Sequence, residues 1–320
     1  MSASRLSPYS VVNRCRPRSG ISLCLRATIA VLILLALGSC KEEPPPPAQE
    51  TPATTTTTPL RLGIGSMITP KEGYIYYQQL GRYIEQRLQR PVQLVDRGNY
   101  EAFNKLLQES DLDLAFICGG PYVEGKETFN LQLLVKPETL SGETVYYSLV
   151  LVPVGSTATA LADLRGKSFA FTDPKSNTGY IVPSALLARI NETPGHFFSE
   201  ISYTYAHDRS IRAVAEGVVD AAAVDSLIYD YLTHIEPKLT SRVRILLRSS
   251  PYGIPPVVVR PDLPPETREQ LRTLLLDMGK NADGQKILNG MLLRRFVPAT
   301  DADYNSIRKD RELVRQLENR

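Results

Sequence analysis

The chain has 320 residues, with 37 Lys and Arg against 34 Asp and Glu and a formal net charge of +3. Five arginines (Arg5, Arg14, Arg16, Arg18 and Arg26) fall in the first forty residues, which hold no acid, so the remainder carries 32 bases against 34 acids and is formally −2. That balance excludes a general electrostatic case for nucleic acid or acidic lipid. Three of the four cysteines lie at or before Cys40, which excludes a disulfide framework in the body.

The basic head runs into ATIAVLILLALGSC, from Ala27 to Cys40. A charged head and a short apolar core make a secretory signal, too short for a membrane span. It ends in Leu37-Gly38-Ser39-Cys40, which resembles the lipobox of bacterial lipoproteins. Residues 1–40 are therefore expected to be a lipoprotein signal peptide, with acyl chains on Cys40 anchoring the mature protein without spanning the bilayer. The alternative is a plain signal peptide with a chance cysteine. Residues 41–59, KEEPPPPAQETPATTTTTP, read as an extended Pro/Thr tether.

From Leu60 onward short apolar runs alternate with helical patterns. LRLGIG reads as a strand, and Tyr76, Leu80, Ile84 and Leu88 mark one face of a helix over 74–89. VQLVD, a helix over 100–109 and DLAFIC continue the strand–helix–strand rhythm of a parallel sheet. The rhythm pauses at the β-rich TVYYSLVLVPVGS (144–156). It restarts with KSFAFTD, a helix to about 189, ISYTYA, a helix from Asp208, DAAAVD and a helix to about 234. VRILLRS and PPVVVRP follow, and the last sixty residues read as mostly helical, with Pro264-Pro265-Glu266 as a helix start. Two extended segments flanking a self-contained α/β block imply two lobes. Lobe one would hold 60–147 and 250–320, and lobe two 148–249. A cleft between such lobes suits a small ligand held by hinge closure.

Helix N-termini at strand ends present unpaired N–H groups to that cleft, which suits an oxyanion. Three turns in lobe two qualify. FTDPKSNTGYIVP carries Ser176, Asn177 and Thr178 before Gly179, either as oxyanion donors or as an ordinary helix cap. YAHDRS offers Asp208 as an N-cap, with His207 just before it able to donate from a ring nitrogen. The third gives Asp225-Ser226. An acid there serves if the ligand keeps a proton, because a carboxylate accepts from P–OH and not from a bare oxygen; a cap is the alternative. In lobe one, Tyr100 and Tyr122 begin helices and could supply O–H donors or simply pack.

Enzyme signatures are poor. Gly166-Lys167-Ser168 lacks the earlier glycine of a phosphate loop, since Leu161 stands there. No GxSxG, HExxH or paired-cysteine spacing occurs, so neither a metal nor a cofactor is expected. Cys118 with His207 is a remote candidate for a thiol nucleophile and base.

FTDPKSNTGYIVPSALLA, YTYAHDRSIRAVAEGVVDAAAVDSLIYDYL, SSPYGIPPVVV, DLAFICGGPYVEG and RGNYEAF together resemble the PhnD-like phosphate, phosphite and phosphonate-binding proteins of ABC importers. The resemblance implies a type II periplasmic-binding fold: two α/β lobes, each a mixed, mostly parallel sheet with flanking helices, joined by two crossover strands. It implies an ABC permease and ATPase as partners, and a monomer that binds without catalysis. Its anion-binding turn falls on Ser176, Asn177 and Thr178, its histidine on His207, its acid on Asp225 and its lobe-one aromatic on Tyr100; the return segment brings Tyr252 near the cleft. Asn177 stands where many members have a hydroxyl. Cys118 is a second departure and resembles periplasmic arsenite sensors of the same family, so a sensor passing ligand occupancy to a membrane histidine kinase is the alternative function. A small buried residue at a strand end is the plainer reading of Cys118.

Overall fold

A computed structural model describes residues 58–65, 70–96 and 98–319. The leader, Cys40 and the tether as far as residue 57 lie outside the described residues. The first elements are β1 (Leu60–Ile64), α1 (Pro70–Leu88), β2 (Val92–Asp96), α2 (Tyr100–Gln108), β3 (Leu114–Phe116), α3 (Gly119–Phe129), β4 (Gln132–Thr139) and β5 (Val145–Tyr146). The block expected as lobe two holds β6 (Ser148–Pro153), β7 (Ser168–Phe171), α4 (Val182–Ala188), α5 (Pro194–Phe197), β8 (Glu200–Tyr203), α6 (His207–Ala215), β9 (Ala221–Asp225), α7 (Ser226–Ile235), α8 (Pro237–Thr240) and β10 (Val243–Arg248). The return comprises β11 (Tyr252–Gly253), β12 (Val257–Val259), α9 (Pro265–Asp277), α10 (Ala282–Gly290), β13 (Leu293–Val297) and α11 (Asn305–Glu318).

Two mixed sheets result, in the orders β13-β4-β12-β3-β1-β2 and β10-β6-β9-β7-β8. In the first, β1 lies parallel between β2 and β3. In the second, β7 lies parallel between β8 and β9. Each sheet therefore changes winding direction beside its central strand, and ligands of open α/β sheets bind outside the carboxyl ends of strands at such a point. Both sheets are covered on both faces, which explains strands that read as near-continuous apolar runs. Along β12, Val257 and Val259 join the core shared with Leu80 and Leu271, while Val258 joins the opposite core with Phe103 and Tyr122. Ala222 and Val224 of β9 likewise face one core, and Ala221 and Ala223 the other.

The extended segment 144–156 is two strands rather than one. β5 pairs antiparallel with β11, Tyr252 opposite Tyr146, so the two crossover segments form their own short ladder between the sheets. The C-terminal region holds a strand that the helical expectation misses: β13 extends the first sheet beside β4. α11 lies against α4 and the turn before it, and also against α3. Its Asp310 pairs with Arg189, the C-cap of α4, and Glu318 accepts from the Tyr180 hydroxyl at 2.9 Å. The last helix thus ties both sheets together.

Candidate functional site

The three turns singled out in the sequence follow β7, β8 and β9, the three parallel strands of the second sheet. All three present their side chains to one buried place. In the first turn Ser176 is the N-cap of a single π-helical turn, Asn177–Ile181, and its Oγ accepts from the Gly179 N–H at 3.1 Å. Capping therefore occupies Ser176. Gly179 makes its close approach to Thr172, whose side chain a β-carbon at 179 would overlap. Thr178 differs: its carbonyl accepts from Ser148 Oγ at 2.6 Å, while its own Oγ1 is buried with no partner in the protein. Ser148 stands opposite Asp225 in the β6–β9 ladder, which places the Thr178 turn beside that acid.

The second turn starts one residue earlier than expected. Ala206 takes the N-cap position, with no side-chain cap bond, and His207 and Asp208 fall in the first turn of α6. The shift follows a left-handed Tyr205 (φ 58°) and carries the His207 side chain into full burial. Its Nδ1 accepts the backbone N–H of Asp225 at 3.0 Å, with Thr172 Oγ1 at 3.1 Å. A ring nitrogen that accepts from an amide carries no proton. Burial also pulls the imidazole down to about 3, so the neutral ring holds its one proton on Nε2. Nε2 is buried and unpartnered, which makes it a free donor.

At the third turn both readings of Asp225 hold at once. Oδ1 caps α7 by accepting from Leu227 N–H at 2.7 Å, while Oδ2 is buried and unpartnered. Burial pushes this carboxyl up to about 7 against the two amides that lower it. A carboxyl raised this far can hold a proton or accept one near neutral pH.

The first sheet supplies fewer groups. Asn99 caps α2, and Tyr100, the first residue of that helix, buries an unpartnered hydroxyl. Burial, then Cys118, Asp173 and Asp225, hold this phenol well above its usual value, so it stays an O–H donor. Cys118 is buried at the N-cap of α3. Its Sγ accepts the Asn177 N–H at 3.3 Å across the cleft and lies 3.6 Å from the Tyr146 hydroxyl, which accepts from Asn177 Nδ2 at 3.0 Å. Burial pushes the thiol up, so it remains protonated at neutral pH. Asn177 keeps one unpartnered buried atom, Oδ1. The Tyr100 N–H donates to Asp173 Oδ2 at 3.1 Å, and Lys175 pairs with Glu124 at 2.6 Å, so polar contacts already draw the two sheets together around the site.

Tyr252 goes elsewhere: its hydroxyl is bonded to Asp310 of α11, against which Arg189 also packs. Tyr146, its partner across the β5–β11 ladder, reaches the site instead and was missed because nothing in TVYYSLV separates the two adjacent tyrosines except strand alternation. Tyr77 was missed as well. It reads as part of an ordinary helix face, yet it is half-buried, and its hydroxyl is held up first by desolvation and then by Asp225. Among the described residues no group of three or more His, Cys, Asp or Glu is placed to hold a metal. The groups converging here are hydroxyls, one neutral imidazole, one amide oxygen and one carboxyl.

Two mixed α/β sheets joined by paired crossover strands, with polar groups buried between their carboxyl edges, define a type II periplasmic-binding fold. The family model for "ABC transporter, phosphonate, periplasmic substrate-binding protein" matches residues 62–304. The chain is 22% identical over 230 residues to the phosphonates-binding periplasmic protein of Escherichia coli K12, covering 71% of this chain and 68% of that protein. The crystal structure of a binding protein component of an ABC phosphonate transporter from Pseudomonas aeruginosa superposes with a TM-score of 0.77 at 20% identity, covering 82% and 88% of the two chains. The structure of PhnD1 from Prochlorococcus marinus MIT 9301 in complex with methylphosphonate gives 0.72 at 21% identity, covering 81% and 98%. The chain belongs to the periplasmic substrate-binding proteins of phosphonate ABC transporters.

Proposed function

We propose that the chain captures a small phosphorus oxyanion, as phosphonate, phosphite or phosphate, between its lobes and passes it unchanged to an ABC permease and ATPase. Thr178 Oγ1–H, His207 Nε2–H and Tyr100 O–H donate to the anion's oxygens. Asp225 Oδ2 takes up a single shared proton with a further oxygen, which favours a protonated oxyanion over sulfate wherever the carboxyl is ionised. The Cys40 acyl anchor and the 41–59 tether hold this body near the membrane.

One observation carries the reading: Tyr100, Asn177, Thr178, His207 and Asp225 each bury a polar atom with no partner in the protein. A buried group left unpaired costs about 1–3 kcal/mol. The three donors, on Tyr100, Thr178 and His207, have a common explanation in a ligand with several oxygens, and the two acceptors, Asn177 Oδ1 and Asp225 Oδ2, in a ligand that keeps a proton. The carboxyl's position at about 7 matches a site in which protein and ligand share one proton. Cys118 fits a structural part better than the sensor alternative, because its sulfur already receives an amide from the opposite lobe.

Calorimetry with methylphosphonate, phosphite, phosphate and sulfate tests the proposal. Binding of at least one phosphorus species and not sulfate is expected. Thr178→Val should weaken that binding by roughly tenfold, as one lost hydrogen bond to an anion does. An unchanged affinity in Thr178→Val, or sulfate binding as tight as any, overturns the assignment.

A further inference from the structure

A cavity of about 340 Å³ opens between the lobes beside the oxyanion site. Its walls are Tyr77 and Phe116 from the first lobe, Leu227, Ile228 and Tyr231 from α7, and the Met291–Leu293 corner. It reaches solvent at Leu140 and Ser141, which are exposed. A cavity of about 150 Å³ lined by apolar side chains is enough to hold benzene.

Two features join this cavity to the anion site. The first turn of α7 serves both: Leu227 donates its N–H to the capping Asp225 Oδ1 and also lines the cavity. Tyr77 is the second link. Its ring stands edge-on to Phe116 with centroids 5.4 Å apart, and its hydroxyl is within electrostatic reach of Asp225. The far wall is held at some cost, because Leu292 sits in the left-handed region (φ 56°), which is unfavourable for a branched side chain. Asp230 also lines the cavity, but Arg248 faces it electrostatically. A bare phosphate or phosphite would use none of this apolar wall.

We infer that the cavity receives the organic substituent of a phosphonate, so that the preferred ligand carries an apolar, ring-sized group on phosphorus in place of hydrogen, hydroxyl or methyl. This rests on the oxyanion reading above. The phosphonate oxygens lie among Thr178, His207, Asp225 and Tyr100, and the carbon substituent passes Tyr77 to lie against Ile228, Tyr231 and Met291.

The test is calorimetry on the purified chain with phosphite, methylphosphonate, benzylphosphonate and 2-aminoethylphosphonate. Benzylphosphonate should bind about thirtyfold more tightly than methylphosphonate, from the apolar area that it removes from water. Met291→Trp, which fills a half-buried part of the wall, should weaken benzylphosphonate by roughly tenfold and leave methylphosphonate unchanged. Benzylphosphonate binding no better than methylphosphonate, or 2-aminoethylphosphonate binding best, overturns the inference and leaves the oxyanion reading standing. An unchanged benzylphosphonate affinity in a folded Met291→Trp protein does the same. If none of the four binds, the oxyanion reading itself fails. Should Met291→Trp not fold, the wild-type ranking still decides.

Discussion

The two lobes meet at the same small site and bring different things to it. Of the unpartnered buried atoms assigned to the site, the second lobe supplies four, on Asn177, Thr178, His207 and Asp225, and the first supplies one, on Tyr100. The sheets are built alike, each with one strand, β1 or β7, lying parallel to both neighbours where the winding reverses. The contrast therefore lies in the turns that follow their strands. Each turn of the second lobe ends in a side chain that a neighbour orients: Ser148 fixes the Thr178 turn, Asp225 N–H fixes His207, and Leu227 N–H fixes Asp225. The first lobe instead contributes close fit, through Gly120, Cys118 and Tyr146. In the proposed reading, lobe two recognises the ligand and lobe one closes over it.

The largest effect is expected from spoiling that fit. A β-carbon on Gly120 would overlap the Lys175 carbonyl oxygen of the opposite lobe, a backbone atom that cannot rotate away. Gly120→Ala should therefore wedge the cleft open. Small-angle scattering should show an extended shape with and without ligand, and affinity should fall by about a hundredfold or more, the loss expected when a misfit of several kcal/mol opposes closure. A variant that closes normally would show that the lobes meet less tightly than described.

Next comes His207→Ala, which removes a ligand donor and leaves the Asp225 N–H without its acceptor. A loss of roughly 30- to 100-fold in methylphosphonate affinity is expected, the upper part of the range of about 1.5–3 kcal/mol for one hydrogen bond to a charged group. The matching change in lobe one, Tyr100→Phe, removes one neutral donor and leaves its own backbone bond to Asp173 intact. It should cost about tenfold or less. Calorimetry on the two variants side by side sharpens the comparison, and equal losses would break it.

The smallest effect is expected at Cys118. Cys118→Ser keeps an acceptor for the Asn177 N–H at 3.3 Å and should change affinity by no more than about threefold, near the lower end for one neutral hydrogen bond. Arsenite should not displace methylphosphonate from the wild type. If it does, and the serine variant abolishes that competition, the sensor reading gains what this account assigns to closure.

Much of the fold was legible because its strands are covered on both faces. Runs such as DAAAVD and PPVVVRP read as buried strands, and the alternation of strand and helix pointed to the parallel β2-β1-β3 and β8-β7-β9 cores, while the antiparallel strands that complete both mixed sheets were not read from it. The strand β13 was not legible: LRRFV sets two arginines between its apolar residues, so it resembles a helix face until β4 is beside it. Within the site, the choice of turns was readable from residue type at strand ends. The division of labour inside them was not. Whether Ser176 or Thr178 caps the helix depends on the π-helical register of one turn, which no local pattern announces. Tyr252 and Tyr146 face each other in one ladder, and which hydroxyl stays in the cleft depends on Asp310, 58 residues beyond Tyr252. The placement of His207 inside α6 depended on a left-handed tyrosine, a conformation that composition does not foretell.

Recognition as proposed turns on the shared proton at Asp225. Its carboxyl is pushed up to about 7 by burial, so it is ionised above that pH, where a fully ionised ligand is repelled and no proton remains between them. Titrating methylphosphonate and sulfate into wild type and Asp225→Asn from pH 6 to 9 measures this directly. The wild-type affinity for methylphosphonate should fall by about tenfold per unit at the upper end, as loss of one required proton dictates. The asparagine variant, which donates from its amide at every pH, should lose that slope and begin to bind sulfate. A wild-type affinity that stays flat across the range, with sulfate still rejected by Asp225→Asn, would contradict it.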